Sequence, residues 1–295
     1  MKGNNAKWMY LFILSIIWGS SFILIKKILI GLTVFQLGSL RTIITGLFLF
    51  AVGYNKLKNI SNKEWKWLII SGFLGSFFPA FMFAIAGNEI DSSVISILNS
   101  LTPLNTVLLG FAIFRITSTK RQVLGVIIGF VGTALLILKG AELNPNQNYM
   151  FAGFVILSTV MYGLNVNIIK HHLQNVKPLS IATGNYVAIF IPAVIVLLFS
   201  DFFSEATFQN PAFKMSIIYL VILSFFGTAL SKVLFNKLVH MATPVFASSV
   251  TYMMPIVSLM WGILDGEGFS MYQGFASVII LIGVYLSHKP KPKMV

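Results

Sequence analysis

Two pairs of residues interrupt otherwise apolar stretches of this chain: Trp18 with Ser21, and Tyr162 with Asn165. A spacing of three puts both members of a pair on one face of a helix. An indole and a phenol beside a hydroxyl and an amide form aromatic walls with a few hydrogen-bonding groups, which suits the orientation of a small amphipathic solute. Asn99 and Tyr252 add an amide and a phenol about one turn before Pro103 and Pro255. A proline inside a helix removes a backbone hydrogen bond and kinks it, so Pro103 and Pro255 are expected to be hinges. Arg41 and Lys232 are the two cations deepest in apolar sequence. Arg41 suits either an anchor on outer carboxylates and helix carbonyls or a group that attracts an anionic part of a solute. Lys232 suits either snorkelling to the nearby membrane surface or a place in a pocket. These eight side chains form the expected substrate-binding set. Gly19 and Ser20, between Trp18 and Ser21, suit close helix packing instead.

No catalytic or metal-binding constellation accompanies them. The chain has no cysteine, which excludes disulfides, thiolate metal sites and cysteine nucleophiles. Its eight Asp and Glu fall in loops or at the ends of apolar runs, and its four histidines lie at cytoplasmic ends. There is no H-E-x-x-H and no P-loop, so a membrane-embedded or lipid-modifying enzyme is the weaker alternative and ATP drive would need another subunit. No cofactor, metal or nucleic-acid partner is expected, because the net charge of +13 is scattered over loops. The absence of an embedded acid predicts a facilitative carrier of neutral or zwitterionic solutes, without a dedicated proton site.

The elements that position these residues follow from composition. Hydrophobic residues make up 57% and charged residues 10%, with mean hydropathy +0.86; a soluble domain carries about 25% charge. Apolar runs of about 18–24 residues, long enough to cross a bilayer, predict an all-α integral membrane protein. Ten transmembrane helices are placed at 7–26, 33–54, 66–88, 92–114, 121–138, 150–171, 178–200, 214–237, 243–264 and 269–287. The first runs too long for a signal h-region and lacks a cleavage site, so it is read as retained. With the N-terminus in the cytoplasm, Lys26, Lys27, Lys139 and Lys214 fall outside and Arg41 within a span, leaving the other sixteen of twenty-one basic residues inside. That bias predicts a multi-pass protein of the cell (inner, cytoplasmic) membrane with both termini cytoplasmic.

The halves echo one another. "ILSIIWGSSFILIKK" (13–27) matches "ILSTVMYGLNVNIIKHH" (156–172), and at an offset of 152 Gly75 falls on Gly227 and Pro103 on Pro255. Residues 7–138 and 150–287 are therefore read as two five-helix repeats, followed by a basic cytoplasmic tail at 288–295. Five is odd, so the second repeat enters the membrane in the opposite sense, and inverted repeats are a recurring build of secondary transporters.

"IWGSSF" (17–22), "LRTIITGLFLF" with Arg41, and "GTALSKVLFNKLVHMATPVFASSVTYMMPIVSLMWGILDGE" (227–267), closing on Glu267, resemble the EamA family of ten-helix carriers in the drug/metabolite transporter superfamily. The family often closes its fourth helix with a glutamate, and here Arg115 stands there. The resemblance implies non-ATP export or facilitated movement of small metabolites, often amino acids, by alternating access. The expected partners are a small solute and the lipid bilayer. "GVIIG" (125–129) suits packing within a monomer more than a weak homodimer.

Overall fold

The computed structural model describes residues 2–58, 60–115, 119–143, 148–266 and 271–288, and its long elements are ten helical rods. They are α1 (Lys2–Ile28), α2 (Val34–Gly53), α3 (Asn62–Glu89), α4 (Ser92–Phe114), α5 (Lys120–Leu143), α6 (Ala152–His172), α7 (Pro178–Leu198), α8 (Phe213–Met241), α9 (Pro244–Leu264) and α10 (Met271–His288). Among the described residues eight rods, α1–α4 and α6–α9, are long and apolar enough to cross a membrane. The two remaining predicted crossings, α5 and α10, are helices that pack on each other. A Cβ on Gly283 would lie 2.6 Å from the backbone nitrogen of Gly129, so only glycine lets these rods approach so closely. The "GVIIG" stripe is thus occupied within the chain, by Gly283 and by the Tyr252 ring that rests on Gly129.

Helix starts are written locally. Thr33 with Gln36 and Ser61 with Glu64 form reciprocal capping boxes, while Pro178 and Pro244 stand in the first turns of α7 and α9, where a missing amide costs nothing. Gln36 also donates to the Ser200 carbonyl at 3.0 Å and ties α2 to the loop after α7. The largest apolar core joins α1, α3, α4, α6, α7, α8 and α9.

Four of the rods are irregular at mid-length, and these irregularities build the site. α3 widens into a π-helical turn over Phe73–Phe77, and α8 does the same over Leu223–Leu230. The two segments enclose Gly75 and Gly227, which are 152 residues apart, as the repeat predicts. Pro79 looks unmatched in the sequence, yet its wide turn has this counterpart in α8, where no proline forces it. α4 breaks at Ser100–Leu101 and α9 at Ser249. Pro103 follows directly on the break in α4, whereas Pro255 lies inside the continuous helix Val250–Leu264, six residues beyond the break in α9.

Inside a bilayer a broken backbone ladder must find partners within the protein. Here hydroxyls supply them. Pro103 cannot donate to the Asn99 carbonyl, and Thr102 Oγ1 does so at 2.7 Å. Ser248, Ser249 and Thr251 donate to the carbonyls of Val245, Phe246 and Ser248 at 3.1, 2.7 and 3.0 Å. The sequences "NSLTP" and "SSVTYMMP" therefore encode the interruptions and their repair.

Candidate functional site

One cavity lies where the irregular rods meet, with about 950 Å³ of non-atom space that includes open solvent at its mouth. Its wall comes from both halves of the chain in matched pairs. Trp18 and Tyr162, Ser21 and Asn165, and Phe22 and Val166 are each 144 residues apart on α1 and α6. Gly75 and Gly227, Ser76 and Thr228, Ala80 and Lys232, Phe83 and Phe235, and Asn99 and Thr251 are each 152 apart on α3, α4, α8 and α9. Two registers of the internal repeat converge on one space.

Trp18 explains the interruption in α1. Its Nε1 donates to the Gly227 carbonyl at 3.0 Å and to Ser231 Oγ at 2.9 Å. The Ser231 amide, which would ordinarily serve Gly227, bonds Thr228 instead, and the Gly227 carbonyl accepts from the Ser231 hydroxyl at 2.7 Å as well as from the indole. Ser21 donates to Ile17 one turn back and lines the cavity beside it. The two residues between them face away. A Cβ on Gly19 would lie 2.6 Å from Val257 Cβ, and Ser20 accepts from Trp261 Nε1 at 2.8 Å, so both lie against α9.

The mirror position is occupied by charge. Gly75 cannot receive its α-helical amide because Pro79 stands four residues on, and Lys232 Nζ donates to the Gly75 carbonyl at 3.0 Å. Lys232 does not snorkel: it is 6% exposed and nine residues short of the end of α8 at Met241. At 1.5 Å per residue that is about 13 Å, farther than a lysine side chain reaches. Arg41 Nε donates to Thr228 Oγ1 at 2.9 Å, which in turn donates to Leu223 O at 3.1 Å. Among the described residues Arg41 therefore rests on a hydroxyl, not on the outer carboxylates that an anchor would use.

Tyr162 stacks on Phe83 with ring centres 5.8 Å apart. Asn165 accepts from Ser71 Oγ at 2.6 Å and its amide packs directly over Gly75. Asn99 accepts from Thr102 and turns its Nδ2 toward Met254. Seven of the eight expected residues thus line this one space: Trp18, Ser21, Arg41, Asn99, Tyr162, Asn165 and Lys232. Tyr252 does not. It is fully buried among Ile97, Leu259, Ala276 and Ile280, with its hydroxyl 3.4 Å from the Val126 carbonyl. Its neighbour Thr251 takes the wall position. The sequence reading also passed over Tyr186, Ser76, Thr42 and Phe235, which line the cavity. The 152-residue offset already pairs Asn99 with Thr251 and Phe83 with Phe235, so that offset, applied throughout, was the missing signal.

Away from the cavity, Asp265 after α9 is paired with Lys27 and, at 3.1 Å, with Lys26 at the end of α1. The Lys27 hydrogen bond, helped by Lys26, holds the Asp265 carboxyl below its usual range. Glu267 lies outside the described residues.

A solved crystal structure superposes with a TM-score of 0.73 at 16% identity over 96% of each chain, which establishes a shared fold. An uncharacterized transporter in the trpA 3′ region of Buchnera aphidicola subsp. Schlechtendalia chinensis is 23% identical over 85% of this chain and 83% of its own length. An uncharacterized transporter of Methanothermobacter thermautotrophicus is 22% identical over 95% of this chain and 85% of its own. A third, the uncharacterized transporter YyaM of Bacillus subtilis, is 25% identical over 73% and 70%. The model of the EamA-like transporter family matches residues 6–138 and again 150–288, so a multi-pass membrane architecture, an internal duplication and similarity to named transporters meet in one chain, and it belongs to the EamA-like transporter family.

Proposed function

We propose that this membrane transporter is a secondary carrier that moves small metabolites of amino-acid size through the central cavity by alternating access, as an exporter or facilitator. The observation that carries the reading is the paired wall: matched residues of the two halves face one space, as expected where inverted repeats meet around a substrate site. On this reading α5 and α10 complete five crossings per half, and the second half is inverted. The lysine bias sets both termini in the cytoplasm of a cell with this protein in its inner membrane. Rocking of one repeat against the other bends α4 beside Pro103 and α9 between its break at Ser249 and Pro255, and at both breaks side-chain hydroxyls that can exchange carbonyls hold the ladder. The Lys26 and Lys27 pairing with Asp265 joins α1 of one half to α9 of the other and suits an outer closure. The protein works as a monomer or weak dimer.

Purified protein in liposomes, preloaded with unlabelled metabolite pools, tests this by counterflow of labelled solutes. Accumulation that Trp18→Ala abolishes is expected. Liposomes inert to amino acids, organic acids, sugars, nucleosides and organic cations alike would remove the carrier reading.

A further inference from the structure

Two basic residues, Arg41 and Lys232, line the cavity, and among the described residues no carboxylate does. Among the described residues no ion pair joins Arg41 or Lys232 to an acid; Lys26 and Lys27 pair with Asp265 instead. A cation at mid-membrane is costly and tends to mark a substrate pathway. Both are held only by neutral groups: Lys232 by the Gly75 carbonyl and Arg41, through Nε, by the Thr228 hydroxyl. The terminal nitrogens of Arg41 hold no protein hydrogen bond among the described residues. Those nitrogens form the fork that grips a carboxylate or phosphate with two parallel bonds.

We infer that the cavity selects solutes of net negative charge, whose carboxylate or phosphate group seats against Arg41 and Lys232. The inference rests on the carrier reading above and names its substrate class. It replaces the expectation of neutral solutes, which followed from the missing acids alone. Two basic groups without acids, Lys232 buried and Arg41 half-buried, repel a net cation and leave a neutral solute to face an uncompensated charge, whereas an anion neutralises the site as it enters. The rest of the wall suits an organic body: the rings of Trp18, Tyr162 and Phe83 line it, and Asn165 and Ser21 add polar groups for its polar edge.

The test uses two carbon skeletons, phenyl and isobutyl, each carrying a carboxylate, a phosphate ester, an amino-acid zwitterion, an amide or an amine. Binding to detergent-purified protein is read by thermal shift and tryptophan fluorescence, and transport by counterflow in phosphatidylcholine liposomes, which contain no anionic lipid. Anions are expected to bind at least about tenfold tighter than the amide or amine of the same skeleton, with the carboxylate and phosphate arms deciding which group fits better. Arg41→Gln and Lys232→Gln should each erase that preference, while Arg41→Lys, which keeps the charge, should retain most of it. If the Gln variants do not fold, the wild-type selectivity series decides by itself. Amides or amines that bind and move as well as the acids overturn the anion assignment while leaving the carrier reading intact. No binding or transport by any head group overturns both.

Discussion

In Lys232→Met an unbranched apolar chain of similar length replaces a buried ammonium. Lysine at the centre of a membrane helix costs about 2.5–3.5 kcal/mol on insertion scales, local compensation included. Lys232 is 6% exposed and its partner is one carbonyl, that of Gly75, at 3.0 Å. Methionine removes the charge and abandons that carbonyl. Because Gly75 O borders a cavity with room for water, the loss falls at the low end of the range for an unsatisfied group, about 1 kcal/mol. The difference favours the variant by about 1.5–2.5 kcal/mol. Binding and transport of the cavity's solute should nevertheless collapse, since the group that meets it has gone.

The assay is paired: melting in detergent by tryptophan fluorescence, and counterflow in liposomes. Lys232→Met should melt several degrees above the parent protein and carry no solute. Lys214→Met, an exposed lysine at the start of α8, should leave stability within about 0.5 kcal/mol and transport unchanged. A melting temperature that drops in Lys232→Met would show that the ammonium stabilises the fold, and unaltered transport would show that it has no part in the site. Either result refutes the reasoning, because a residue kept for its solute at the expense of the fold should show the opposite of both.

Three further outcomes follow from local geometry. In Gly163→Ala the new Cβ would lie 2.9 Å from the backbone of Asn105 and Thr106; α4 cannot yield there, so a loss of about 1–3 kcal/mol is expected, whereas Gly153→Ala on the same helix, with nothing within 4 Å, should cost nothing in the same melting assay. Thr102→Val removes the donor to the Asn99 carbonyl and should cost about 1–2 kcal/mol in melting while weakening solute binding through the adjacent Asn99 amide. Asp265 has a depressed folded-state pKa, so its pairing contributes fully above the unfolded carboxylate value of about 4 and is lost as pH falls through the lower folded value. The melting difference between the parent protein and Asp265→Asn should therefore be small but present at neutral pH, stay within about 1 kcal/mol because the lysines are solvated, and vanish in strong acid.

The sequence carries the fold in its helix lengths and its echoes. Trp18 and Ser21 are three apart, as are Tyr162 and Asn165, and that spacing alone sets each pair on one face; the repeat then turns both faces toward one space. Periodicity was less informative where a helix is broken. Tyr252 stands one turn before Pro255, like Asn99 before Pro103, yet the break at Ser249 comes three residues earlier in the repeat than the break at Ser100–Leu101. The turn offered to the cavity is therefore set by neighbouring rods, and Gly129 on α5 accepts the phenol ring that a larger residue would exclude. The sequence left Lys232 between the membrane surface and a pocket for a similar reason. Its helix runs on to Met241, past the apolar stretch that marks the span, because a polar helical end is invisible to hydropathy.

The wide turns in α3 and α8 connect fold to specificity. Each frees a carbonyl at equivalent places, Gly75 and Gly227, and each receives a side chain from the other half: Lys232 reaches back to Gly75, and Trp18 reaches forward to Gly227, which Ser231 of α8 also holds. The backbone scaffold is duplicated but its occupants are not. A neutral indole fills one position and a cation the other, and Arg41 has no cationic counterpart, since the α7 residue that lines the cavity is Tyr186. A duplicated wall with unduplicated charge has one positive side, which gives an entering solute an orientation. If the two halves rock about this space, the Lys232–Gly75 and Trp18–Gly227 bonds both cross between them and must stretch or exchange in each cycle. On the anion reading, a solute that takes Lys232 from Gly75 would loosen one of the two ties as it binds, and so would couple occupancy to movement without an embedded acid.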